Sequence, residues 1–151
     1  MRGRNPFLDF VEGIAGAGGG LEGVVVSGER EVLRSERRVV LLSPHPDDEC
    51  LTGLLPLRLG RELGMEVVNV PVTFGSDPGR QEERREELAA ACRYLGWGCE
   101  MREDLSGLGA GEVAEILRSV EPEVIVMPHE EDWNGRHVET HRLVMGVLEG
   151  M

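Results

Sequence analysis

Three short apolar runs, separated by stretches of helical periodicity, decide what this chain can fold into. They lie at 38–43, 66–72 and 124–127, and are apolar at nearly every position. A strand with one wet face alternates polar and apolar residues. A continuous run suits a parallel strand covered on both faces. Between the runs, Leu51, Leu54, Leu55, Leu59 and Leu63 predict a helix over 48–63, with Pro56 kinking or breaking it and Gly64 as its C-cap. An Arg- and Glu-rich segment predicts a helix over 81–95 that ends at Gly96. Further helices are expected over 112–120, stopped by Pro122, and over 138–148, with a short strand at 99–102. Strands alternating with helices give an α/β fold with a mainly parallel sheet.

The 151 residues fit a single domain, 1–151. Phe7, Phe10, Val11 and Ile14 predict a short helix over 6–15, followed by a glycine-rich linker that brings the N-terminal part to residue 23. A weak strand is expected at 24–26, and the core starts at about residue 38. The net charge of −12 leaves no basic face for nucleic acid or an anionic membrane. No apolar run approaches the ~18–20 residues of a bilayer span. Asp9 and Glu12 interrupt the N-terminal stretch that a signal peptide would need. The three cysteines, Cys50, Cys92 and Cys99, have no CxxC spacing and read as small buried hydrophobes. A cytoplasmic protein is expected.

The first strand runs into Ser43-Pro44-His45-Pro46-Asp47-Asp48-Glu49, three adjacent acids beside a histidine. The other histidines, His129, His137 and His141, all follow the last apolar run. In open α/β sheets, ligands sit beyond the carboxyl ends of the strands, so one site gathers both segments. His45 and Asp48 supply an imidazole and a carboxylate, in a loop stiffened by Pro44 and Pro46. A third ligand must come from the distal segment, where His137 and His141 share a helix face at i, i+4 and one or both can reach a metal. A dication would offset the repulsion among the acids. With Asp48 on the metal, Asp47 is free to act as general base toward an activated water. Glu49 suits the first turn of the following helix, and Asp132 can orient a histidine.

PHPDDE at 44–49, followed by an α/β chain with a late PHxxD at 128–132 and paired histidines, resembles the LmbE-like, or PIG-L, family of zinc-dependent N-deacetylases. Arg84-x-x-Glu87 leading to Leu95-Gly96, and the segment 123–129, are also similar to that family. The resemblance covers the chain from about residue 38. It implies a Rossmann-like three-layer α/β/α sandwich and a Zn2+ site, with Fe2+ also suiting the ligands. The ligands it implies are His45, Asp48 and a late histidine, with Asp47 as general base and Arg84 reaching the substrate. The substrate implied is a small-molecule sugar conjugate of N-acetylglucosamine type, from which an acetyl group is removed.

Two departures stand out. The family's HxDH is replaced by His137-Val138-Glu139-Thr140-His141. The resemblance aligns His141 with the zinc ligand and His137 with the group that meets the oxyanion, the exchanged assignment being the alternative. The chain also stops at Met151, where family members usually continue, so the usual C-terminal part is expected to be lacking. An exposed sheet edge would then favour a homo-oligomer. The competing functional reading is a family member that binds metal or sugar without turnover. An intact Asp47 argues for the enzyme.

Overall fold

The structure is a computed structural model that describes residues 36–52, 54–102 and 107–151. The helix expected over 6–15, the glycine run after it and the strand expected at 24–26 lie outside the described residues. In chain order the elements are β1 (Arg38–Ser43), α1 (Asp48–Thr52), α2 (Leu54–Leu63), β2 (Glu66–Pro71), α3 (Pro78–Leu95), β3 (Gly98–Cys99), α4 (Ala110–Val120), β4 (Val124–Val126) and α5 (Gly135–Glu149).

Among the described residues the sheet has four strands, all parallel, in the order β3-β2-β1-β4. β1 pairs with β2 along its whole length, from Arg38 opposite Glu66 to Ser43 opposite Pro71. On its other side Val39, Val40 and Leu41 pair with Val124, Ile125 and Val126. The alternation of side chains splits the core in two. Val40, Leu42, Val68 and Val70 pack with Val113, Ile116 and Leu117 of α4 and Val144 and Val147 of α5. Val39, Leu41 and Val67 pack on the opposite face with Leu88 and Cys92 of α3, and with Leu57 and Leu59 of α2. Helices on both faces of a parallel sheet make the three-layer sandwich. They also explain why β1 is apolar at every central position.

The termini of α3 follow from its sequence. Asp77 accepts the Gly79 N–H at 3.0 Å, Pro78 occupies the first turn, and Gly96 closes the helix with φ +72°. The expected helix over 48–63 is two segments, with Pro56 in the first turn of α2, where its missing N–H costs nothing. Of the leucines that set the helical spacing, only Leu59 packs against the core. Leu51, Leu54, Leu55 and Leu63 are exposed, and the helix instead buries Pro56 and packs Leu57 and Leu59 inward.

The chain moves from β1 outward to β2 and β3, then crosses to β4 on the opposite side of β1. The strand order therefore reverses between β1 and β4, and the loops leaving their carboxyl ends diverge there. That crevice is where an open α/β sheet places its ligands.

Candidate metal centre

The loop after β1 is held by the neighbouring strand. Ser43 and Pro44 carbonyls accept the N–H groups of Val72 (2.7 Å) and Thr73 (3.1 Å). The buried Ser43 hydroxyl donates to Asn69 Oδ1 at 2.7 Å, and the Asn69 amide donates in turn to Cys92 Sγ. These contacts fix the point at which the chain leaves the sheet. Asp48 is buried, and its Oδ2 accepts the His45 N–H at 2.7 Å, so the two candidate ligands form one small loop.

Asp47 lies between them with φ +108°, a conformation that non-glycine residues rarely adopt. Three contacts hold it. Glu49, only 3% exposed, accepts the Asp47 N–H on Oε2 at 2.8 Å. The Asp47 carbonyl accepts the Cys50 N–H at 3.0 Å. Arg84 donates to the Pro46 carbonyl at 3.1 Å. The Asp47 side chain is 72% exposed, its Oδ2 lying 3.5 Å from Arg84 Nη2. Strained backbone whose surroundings over-determine it is a recurrent mark of functional sites.

Arg84, expected to reach substrate, is engaged within the protein. Besides Pro46 and Asp47 it donates to the Phe74 carbonyl at 3.3 Å, joining the loops after β1 and β2. Gly75 makes room for it: with φ +92°, a Cβ there would stand 2.6 Å from Arg84 Nη1. A cavity of about 330 Å³ beside Asp47 is lined by Arg80, Arg84 and Glu87. A larger cavity, about 520 Å³, lies at the other end of the sheet around Arg61, Glu66 and Trp97, away from this centre.

The loop after β4 delivers the second half. Asn134 begins α5 by accepting the Arg136 N–H at 3.0 Å, which places His137 in the first turn. His137 Nε2 lies 3.4 Å from Asp48 Oδ1, and its Nδ1 lies 3.0 Å from Asp132 Oδ2. His45 Nδ1 is 3.5 Å from Asp48 Oδ2, and the His45 and His137 rings are 5.8 Å apart. One ligand atom from each of His45, Asp48 and His137 falls within 4.8 Å of the others, and these residues form the one such group among the described residues. His141, one turn further along α5, is not in it; its Nδ1 donates to the Pro128 carbonyl at 2.9 Å. His129 is exposed, and its Nδ1 accepts the Glu131 N–H.

The donor set fits a divalent transition metal. Two imidazoles and a carboxylate are the ligands of catalytic zinc and ferrous sites. A carboxylate on the far nitrogen of His137 fixes its tautomer with Nε2 free to ligate. The Asn134 N–H and the His137 contact also hold the Asp132 carboxyl below its usual range, so it stays an acceptor. The backward bond from Glu49 to Asp47 is not readable from the sequence. Its only signal there is an acid two residues after the residue it holds.

The family model described as PIG-L, GlcNAc-PI de-N-acetylase, matches residues 40–148. No curated protein shows a match to the sequence. Among solved structures, the fold is similar to the conserved protein TT1542 from Thermus thermophilus, 26% identical with a TM-score of 0.59, covering 75% of this chain and 56% of that one. It is similar to N,N'-diacetylchitobiose deacetylase from Pyrococcus horikoshii, 18% identical with a TM-score of 0.60, covering 99% of this chain and 61% of that one. It is also similar to GalB, the 4-carboxy-2-hydroxymuconate hydratase of Pseudomonas putida KT2440, 20% identical with a TM-score of 0.61, covering 74% of this chain and 55% of that one. The chain thus spans less than two thirds of the length of these proteins.

Proposed function

The chain belongs to the PIG-L family, and from that premise we propose that it is a metal-dependent N-deacetylase acting on a small N-acetylglucosamine-type conjugate. The observation that carries this reading is the His45, Asp48 and His137 group beside the strained Asp47. Zn2+, or Fe2+, is the cation such a donor set would hold. We assign the third ligand to His137 rather than to His141, the exchange of the roles that the resemblance first suggested. Its support is the 3.4 Å approach of Nε2 to Asp48 and the Asp132 carboxylate behind the ring.

A cation held by His45, Asp48 and His137 supplies Lewis-acid polarisation of water and of the amide carbonyl. The remaining steps fall to the chain. Asp47, exposed and outside the ligand group, accepts the proton of the attacking water. Asp48 accepts the His45 N–H and would be a ligand of the cation, so it does not compete for that role. His141 donates its Nδ1 proton to Pro128, which leaves Nε2 to donate to the developing oxyanion when the ring is protonated. The proton taken by Asp47 then passes to the leaving amine. Arg84 acts by holding the Pro46 carbonyl and thereby the Asp47 backbone.

The test is acetate release from N-acetylglucosaminides by the zinc-loaded chain and by Asp47→Asn, with metal content measured in both. Loss of about 10²–10⁴-fold in rate at unchanged metal content is expected for a general base. Full activity in the variant removes Asp47 from that role. Absence of acetate release at full metal content returns the chain to the non-catalytic reading.

A further inference from the structure

We propose that Trp133 is the platform on which the sugar ring of the substrate stacks, one residue from the group that orients a candidate metal ligand. This rests on the deacetylase reading above and adds the residue that selects for a ring.

Of the two tryptophans, Trp97 is buried in the core, whereas Trp133 is 92% exposed. Large aromatic side chains are seldom left so fully in water, because they carry the greatest apolar area a residue can bury. The loop around Trp133 does not leave it free to fold inward. Asp132 uses both carboxylate oxygens, Oδ1 for the Asn134 N–H at 2.8 Å and Oδ2 for His137 at 3.0 Å. The Asp132 N–H donates to the His129 carbonyl at 3.2 Å. Asn134 in turn accepts the Arg136 N–H and starts α5. The residues on both sides of Trp133 are therefore held, one to a candidate metal ligand and the other to a helix N-terminus, which fixes where its backbone stands. It stands one Cα step of about 3.8 Å from Asp132.

The occupant follows from the chemistry of the neighbourhood. A pyranose with equatorial substituents presents a flat face of C–H groups, which packs on the electron-rich face of an indole. Its rim of hydroxyls suits this polar stretch of chain, in which His129, Glu130 and Glu131 are exposed.

The test uses the metal-loaded chain and follows indole fluorescence, which Trp133 dominates at long wavelength. Titration with N-acetylglucosamine or di-N-acetylchitobiose is expected to shift and quench that emission. N-butylacetamide, which carries the amide but no ring, is expected to leave it unchanged. Trp133→Phe, which keeps Trp97, is expected to show no shift. In kinetics, Trp133→Ala is expected to raise KM for the glycoside about tenfold, with kcat held within about twofold and metal content unchanged. Trp133→Tyr should recover most of the loss. An unchanged emission with sugar, an equal response to N-butylacetamide, or an unchanged KM in Trp133→Ala overturns the proposal. A sugar-dependent shift without acetate release would sink the deacetylase reading and keep the platform. Acetate release with an unaltered KM would do the reverse.

Discussion

The PHPDDE loop makes a prediction through its last acid. Glu49 is 3% exposed, and its carboxylate accepts the N–H of a residue held at φ +108°. Glu49→Ala deletes that acceptor and leaves the Asp47 N–H unmet. Hydrogen bonds to charged groups contribute about 1.5–3 kcal/mol. Removing one of three neighbouring acids relieves some repulsion, which places the net loss near the lower end, at about 2 kcal/mol. For a chain of this size that corresponds to a fall in Tm of about 4–8 °C. Glu49→Gln keeps an acceptor oxygen and should lose about half as much. Release of the strained turn also moves the Asp47 carboxylate, and a displacement of about 1 Å is enough to cost about 10²-fold in rate. Thermal unfolding followed by circular dichroism, with acetate release and zinc content measured on the same samples, checks both effects. A Glu49→Ala protein that melts with the wild type and retains its rate would refute the view that Glu49 holds Asp47 in place.

Two further outcomes follow from the same region. Asp47→Gly and Asp47→Ala should both lose activity, but glycine tolerates φ +108° and alanine does not. The glycine variant should therefore be more stable by about 1 kcal/mol, read from the urea midpoint. Equal midpoints would show that the turn is unstrained. In thiol labelling at neutral pH, Cys50 should react first, because it is the exposed cysteine. It should react more slowly than a free thiol, since partial burial and the Glu49 carboxylate push its pKa up and lower the thiolate fraction. Its rate should climb as pH rises. Cys92, which is buried, should label only after denaturation, and its rapid modification would contradict the closed packing of α3 on the sheet.

The sheet is largely legible in the sequence because burial on both faces leaves its mark at every position of a strand. β1 spans Arg38–Ser43, as its apolar run implies. The leucines of α1 and α2 mislead because a helical pattern records which side chains share a face. It does not record whether anything covers that face. β3 is shorter than expected: beginning at Gly98, it pairs with β2 alone among the described residues. His45, Asp47 and Asp48 are readable from their spacing and from the strand before them. The distal half is not, since i, i+4 puts His137 and His141 on one face without ordering their depth. That order comes from Asn134 starting α5 and from Asp132 turning back to His137, contacts that only the folded loop contains.

The account turns on which histidine completes the ligand set. The most direct measurement is zinc stoichiometry and affinity for the wild type, His137→Ala and His141→Ala, each checked for folding by circular dichroism. His137→Ala is expected to lose bound zinc, because it removes one of the three proposed ligands. His141→Ala is expected to keep stoichiometric zinc while losing activity. Zinc retained by His137→Ala and lost by His141→Ala would contradict the centre described above.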